Sequence, residues 1–370
     1  MSTDILRSDS RATPVAAGGK RLRHLGWQVG LTYQAEAPGG VDRGHLLRLL
    51  DEMAAHGMNT LSLMMQSYGC YDPGHDGYAW PTQHEKLRPY RDAAATNAQP
   101  GQEYVREIID VAAARGIAIH LFLNWGIWNP AKIAQHYPDA VLQHAPDAPP
   151  SDWLHCPDSP GAWQLGLDEV EDLLIIYRHP NVTSFAFERI SYQCQDRCHC
   201  QHTQKVFLAE TGGPLTAAPP RRVEAWKNEH IGAYLRAYTA HIRRLRPEIT
   251  IGLHTQCAAG WGHDPAQLRR QGIDYLLPHT IQFPTKQEEL YATLARLAPN
   301  PCVLHFCTRD RRPANYNLWI KTPAIIEEAL RWVREYPGDN LAGILFFNEP
   351  ATSLENRQAV YRGIRHFGRL

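Results

Sequence analysis

At 370 residues the chain is long enough for one large barrel or two ordinary domains. Its 38 Lys and Arg balance its 38 Asp and Glu, so no net charge draws it to nucleic acid or to an anionic membrane surface. Hydrophobic residues at 44% and charged residues at 21% are ordinary for a globular protein, and no apolar run reaches the roughly 18 residues of a membrane span.

The first segment, residues 1–23, lacks the charged start and apolar core of a signal peptide and reads as a flexible lead-in, so a cytoplasmic location is expected. From residue 24 to 370, short β-branched runs alternate eight times with longer amphipathic stretches. The predicted strands are 27–33, 59–66, 117–125, 183–189, 250–255, 274–280, 302–308 and 342–349. Predicted helices include 43–56, 103–115, 162–177, 222–246, 323–336 and 354–367. Gly57, Gly116 and Pro247 sit where three of them should stop. Strict alternation argues a parallel sheet with helical crossovers. Eight repeats, with no glycine-rich phosphate loop after the first strand, favour an α/β (β/α)8 TIM barrel over a doubly wound sheet. The loops after strands 2, 3 and 4 are extended, and long loops on this face of a barrel build its site.

Side chains alternate along a strand, so parity separates the lumen from the helix layer. On strand 4, Ser184, Ala186 and Glu188 share one face and Phe185 and Phe187 the other. Glu188 therefore points inward at the C-terminal end. The same test turns inward Thr32, Gln66, His120, Asn124, His254, His305 and Cys307, and on strand 8 Gly343, Leu345, Phe347 and Glu349. His120 and His305 lie deep in their strands, as core histidines do. A carboxylate beyond a strand can also serve a structural ion pair, and Asp310 stands among Arg309, Arg311 and Arg312.

The stretch after Glu188 carries Cys198-His-Cys200-Gln-His-Thr203-Gln-Lys-Val-Phe207. It resembles the Cys-x-Cys-x-x-Cys-x-x-x-Phe segment of family 42 glycoside hydrolases, and residues 152–216 as a whole are similar to that region of the family and of related glycosidase-like barrels. The resemblance implies a general acid/base role for Glu188 and a zinc-binding cluster just beyond it. Three positions depart from the family pattern: Phe187 stands for the Asn before the acid, Thr203 for the third Cys, and strand 7 lacks the nucleophilic Glu.

Glycoside cleavage needs two carboxyl groups astride the scissile bond, and their separation decides between retention and inversion. Glu188 is the expected acid, with Glu349 first and Asp310 second as its partner. Sugar rings ask for aromatic faces and forked hydrogen-bonding groups. The rim offers Tyr33, Tyr68, Trp80, Trp125, Trp128, Trp153 and Trp261, with Gln66, Asn124, His254, Arg309 and Asn348. Cys194, Cys198, Cys200 and His202 have zinc-ligand types at short spacing, with Cys156 as an extra donor; such a closed site would be structural, and catalysis would need no cofactor. The expected function is hydrolysis of a glycosidic bond in an oligosaccharide or glycoconjugate, with a carbohydrate as partner and a homo-oligomer compatible with the sequence. Two alternatives stay open: a metal-dependent barrel enzyme acting on a sugar through Glu188, His254, His279 and Asp310, and a non-catalytic carbohydrate-binding barrel.

Overall fold

The computed structural model describes residues 22–32, 41–66, 77–123, 130–143, 145, 147–188, 190, 198–255, 262–278, 286–309, 321–347 and 349–367. Eight parallel strands close into a barrel. In chain order they are β1 (His24–Gly30), β2 (Thr60–Met64), β3 (Ala118–Leu123), β6 (Val182–Glu188), β7 (Thr250–Thr255), β8 (Tyr275–Pro278), β9 (Cys302–Cys307) and β10 (Leu341–Phe347). Neighbours run β1-β10-β9-β8-β7-β6-β3-β2, so each strand pairs with the one before and after it around the ring. The expected (β/α)8 barrel is the observed one, and no strand border moves by more than three residues.

The helices are α1 (Arg43–Ala55), α2 (Val105–Ala114), α3 (Pro130–His136), α4 (Pro160–Ile176), α5 (Gln201–Thr211), α6 (Pro220–Leu245), α7 (Gln287–Leu297), α8 (Pro323–Glu335) and α9 (Leu354–Ile364). Their starts follow capping chemistry. Asp42, Ser159, Thr322 and Ser353 each accept a backbone N–H from the first turn of the helix they precede, and Pro160 and Pro323 open two of those helices. Along α1 the buried Leu46, Leu49, Leu50 and Met53 recur at helical spacing, and Gly57 ends the run at φ +72°. Residues 126–161, expected as one long loop, contain α3 and an antiparallel ribbon of β4 (Val141–Gln143) and β5 (Pro150–His155). Leu22 is buried and the Arg23 N–H bonds to Ala342 O at 2.7 Å, so the barrel begins two residues earlier than expected.

Two apolar layers result. Inside, Met64, Phe122, Ala186, Tyr275, Leu277, Val303 and Leu345 fill the lumen. Outside, the alternate strand residues pack on the helices: Phe185 and Phe187 lie 6.4 and 4.9 Å from the Tyr238 ring of α6. The barrel floor is plugged by rings. A Cβ at Gly252 would meet the Tyr275 ring at 2.4 Å, so only glycine leaves room for it. The Tyr275 hydroxyl in turn reaches Ser184 Oγ at 2.7 Å. His24 and His120 complete the floor, and burial lowers the pKa of both, that of His24 to about 4. Among the described residues no helix is long and apolar enough to cross a membrane.

Candidate active site

Glu188 ends β6 on its inward face, where parity puts it, and is 5% exposed. Its register partner on the next strand is His254. That pairing brings His254 Nδ1 to 3.2 Å from Glu188 Oε1. His254 Nε2 lies 3.1 Å from His305 Nδ1 on β9. His305 Nε2 meets Gln28 Oε1 on β1, and Gln28 Nε2 donates to Ser62 Oγ on β2 at 3.2 Å. A continuous row of polar groups thus crosses the lumen from β6 to β2. Phe122 flanks both imidazoles at 6.0 and 6.2 Å, and Phe347 lies 4.7 Å from His305. In such apolar surroundings each polar atom needs the next one, because an unpaired buried group costs roughly 1–3 kcal/mol.

Glu188 and His254, both expected at the mouth, stand in this row; His305, expected as a buried core histidine, joins them, as do Gln28 and Ser62, which were not among the expected site residues. Gln28 carried a readable signal: it shares parity with Thr32 and stands between Trp27 and Val29, both fully buried, where an amide has no place unless it faces a polar lumen.

Two expected site residues belong elsewhere. Glu349 is fully buried, but its carboxylate is held by Arg357 of α9 and by His45 of α1, whose Nε2 lies 2.6 Å from it. Strand β10 ends at Phe347 and a 3-10 turn follows, so the parity that aimed Glu349 into the mouth no longer applies and the side chain joins the helix layer. Trp80 is 0% exposed and offers no face to a sugar. Its ring packs at a tilt against Tyr78, with centroids 4.1 Å apart, and its indole N–H donates to Asp172 of α4 at 2.8 Å.

Trp80 is one part of a clamp. The carboxylate of Asp172 also accepts the backbone N–H groups of Gln83 and His84, both at 3.0 Å. Glu169 accepts the Tyr78 hydroxyl at 2.5 Å, and Asp168 accepts the Tyr137 hydroxyl at 2.5 Å. Burial pushes the Glu169 carboxyl up to about 8, aided by neighbouring Asp168 and opposed by the Tyr78 hydrogen bond. Asp168 of α4 therefore fastens Tyr137 of the segment after β3, and Glu169 and Asp172 fasten the segment after β2. Gln66 reaches the same segment through its backbone bridge to Tyr78.

Arg309 is buried at the exit of β9, and its carbonyl accepts the Lys321 N–H. Tyr33, Tyr68, Asn124, Trp125, Trp128, Trp261, His279, Asp310, Asn348 and Cys194 lie outside the described residues, as does the side chain of Trp153.

A thiol cluster stands where β5 runs into α4 and meets the start of α5. The sulfurs of Cys156, Cys198 and Cys200 all lie within 4.8 Å of one another, with Cys156 and Cys200 3.6 Å apart. Cys200 caps α5 by accepting the Thr203 N–H at 3.4 Å. Hydrogen bonds from Cys156 and Cys198 lower the pKa of the Cys200 thiol, whereas burial raises that of Cys156. His202, expected as a ligand, turns away: its Nε2 lies 2.9 Å from Asp158 O. Thr203 takes the place beside the sulfurs, 3.4 Å from Cys156 and 3.3 Å from Cys200, and donates to Asp158 Oδ2 at 2.7 Å.

No family model and no curated protein matches this sequence. Solved structures do resemble it. The glycoside hydrolase domain of PgaB (BpsB) from Bordetella bronchiseptica aligns at TM-score 0.68 and 13% identity, over 95% of this chain and 99% of that one. A β-galactosidase from Halorubrum lacusprofundi aligns at 0.63 and 12%, over 93% of this chain and 58% of its own length. The catalytic domain of a β-amylase from Paenibacillus polymyxa gives 0.61 and 9%, over 92% and 97%. The likeness is one of fold: this chain is built as glycoside hydrolase barrels are built.

Proposed function

We propose that the chain hydrolyses a glycosidic bond, with Glu188 as the general acid/base. The observation that carries this reading is a buried carboxyl group at the C-terminal end of a barrel strand, 3.2 Å from an imidazole nitrogen. That is the position and the environment a proton donor needs. The fold neighbours support the reaction class, and the family resemblance around Cys198–Phe207 supports the acid. With Glu349 committed to Arg357, Asp310 becomes the candidate second carboxylate. It directly follows Arg309 at the exit of β9, and the substrate is an oligosaccharide or glycoconjugate.

The thiol cluster suits a structural zinc. In a tetrahedral zinc–thiolate site the sulfurs stand about 3.8 Å apart, which the 3.6 Å between Cys156 and Cys200 approaches. Cys156, Cys198 and Cys200 would hold the ion, with Cys194 as candidate fourth ligand. When bound, zinc would tie β5 to the start of α5 and take no part in the reaction.

The test is a comparison of wild type and Glu188→Gln on α- and β-linked aryl glycosides and natural oligosaccharides. A substrate cleaved by wild type and slowed about 10²-fold or more by the substitution supports the assignment. Equal rates would remove Glu188 from the mechanism. Activity lost with chelator and restored by Mn²⁺ or Zn²⁺, with Tm unchanged, would instead favour the metal-dependent alternative.

A further inference from the structure

We propose that Gln28 sets the direction of every hydrogen bond along His305, His254 and Glu188, and so keeps one transferable proton in the Glu188–His254 contact. The inference rests on the reading of Glu188 as the acid, and it gives that acid the device that loads it.

Gln28 donates its Nε2 to Ser62 Oγ and turns its carbonyl Oε1 to His305. A carbonyl only accepts, so His305 must carry its proton on Nε2. In a neutral ring Nδ1 is then an acceptor, and it is filled by His254 Nε2–H across 3.1 Å. That assignment leaves His254 Nδ1 with a lone pair, facing Glu188 Oε1 at 3.2 Å. Lone pair against carboxylate would repel. The contact becomes a hydrogen bond only when a proton lies in it, as Glu188 O–H to Nδ1 or as the ion pair of carboxylate and imidazolium. In the opposite orientation the amide would offer Nε2–H to His305, both rings would carry Nδ1–H, and Glu188 would sit ionised with one proton fewer. Ser62 can donate or accept, so it tolerates either amide orientation; the side on which Oε1 lies decides the state of a carboxyl group three residues along the row.

Chemically, the stored proton passes from Glu188 to the leaving glycosidic oxygen as its C–O bond breaks. The carboxylate that remains faces an unprotonated Nδ1, which favours taking a proton back from the water whose oxygen becomes the new sugar hydroxyl. Gln28 and His305 do not touch substrate in this scheme. They are positioning residues acting through His254.

The experiment is nitrogen-15 NMR of the histidine rings in the uniformly labelled wild-type protein. A coupling between nitrogens across the His254–His305 hydrogen bond identifies the two rings, and the two-bond pattern within each ring tells which nitrogen bears the proton. Protons on Nε2 of both rings are expected. Protons on Nδ1, or no coupling between the rings, would overturn the proposal. Gln28→Glu, an acceptor-only side chain, should keep the Nε2–H pattern; Gln28→Met should lose it and lower kcat about tenfold or more, with KM little changed. A merely structural role for Gln28 would lower kcat in Gln28→Met while both rings kept their protons on Nε2, and would contradict the proposal. The NMR reading needs no substrate. Nε2–H rings in a protein that cleaves no glycoside would sink the proposed function alone, and Nδ1–H rings in an active glycosidase would sink the relay alone.

Discussion

Two groups of buried carboxylates lie on opposite sides of the β6 and β3 wall, and they are satisfied by different partners. On α4, Glu169, Asp168 and Asp172 are met by two phenols, an indole and two backbone N–H groups. None of those donors titrates near neutral pH. Through them Glu169 and Asp172 hold the segment after β2, and Asp168 holds Tyr137 of the segment after β3. His84 Nε2 is a further neighbour of Asp168, at 3.8 Å. In the lumen, Glu188 meets an imidazole, the one side chain whose unperturbed charge change falls in the physiological range. Under the proposed mechanism the same kind of group serves as fastener in one place and as proton carrier in the other.

The comparison can be broken most sharply at Glu188, where replacement by Gln should cost about 10²-fold or more in kcat and little in Tm, measured by steady-state assay and calorimetry on the same sample. At the clamp the pattern should invert. Trp80→Ala removes a fully buried indole and should destabilise by roughly 3–5 kcal/mol in denaturant titration, with activity at low temperature largely retained. Glu349→Gln separates the two roles for a residue that sequence parity placed in the mouth. Loss of a buried partner of Arg357 should cost about 3–5 kcal/mol while kcat stays within a few-fold, and a loss as deep as that of Glu188→Gln would return Glu349 to the catalytic pair.

Glu169 gives the most specific effect, confined to one pH window. Its folded pKa of about 8 lies above the value of an exposed carboxyl, so the native state binds the proton more tightly than the unfolded chain. The stability this contributes is complete below the unfolded pKa and is lost as pH rises towards 8. The slope is roughly 1.4 kcal/mol per pH unit, and above the folded pKa the curve is flat. Glu169→Gln still accepts from Tyr78 and should flatten the wild-type decline of Tm across that window. An unchanged decline would show that another group carries it.

Much of this architecture was legible in the residues because the barrel repeats a simple rule. The Ser184-Phe-Ala-Phe-Glu188 alternation needs only period-two geometry to place Glu188 in the lumen, and Gly57 and Gly116 mark helix ends because left-handed backbone favours glycine. The rule failed where the chain leaves the strand. Glu349 obeys strand parity on paper, but the 3-10 turn after Phe347 rotates it towards Arg357, and nothing in the local sequence announces a partner from α9. Trp80 was read by composition, as an aromatic in a rim loop, although its fate is set by Asp172, 92 positions later. His202 fits zinc spacing, yet the cap at Cys200 begins α5 there, and the helix directs His202 to Asp158 O while placing Thr203 beside the sulfurs. His305 was read as a buried core histidine and Gln28 was not singled out for a related reason: each is an ordinary buried polar residue until strands β1, β7 and β9 close the ring and set them in one row.

The most direct test of the central claim is a leaving-group series with Glu188→Ala. A general acid matters most when the departing oxygen is a poor leaving group and little when that oxygen departs unaided. The variant should lose about 10²-fold or more in kcat/KM on alkyl and sugar leaving groups while approaching wild type on dinitrophenyl glycosides. A uniform loss across the series would contradict the central claim, because Glu188 would then be serving something other than proton donation.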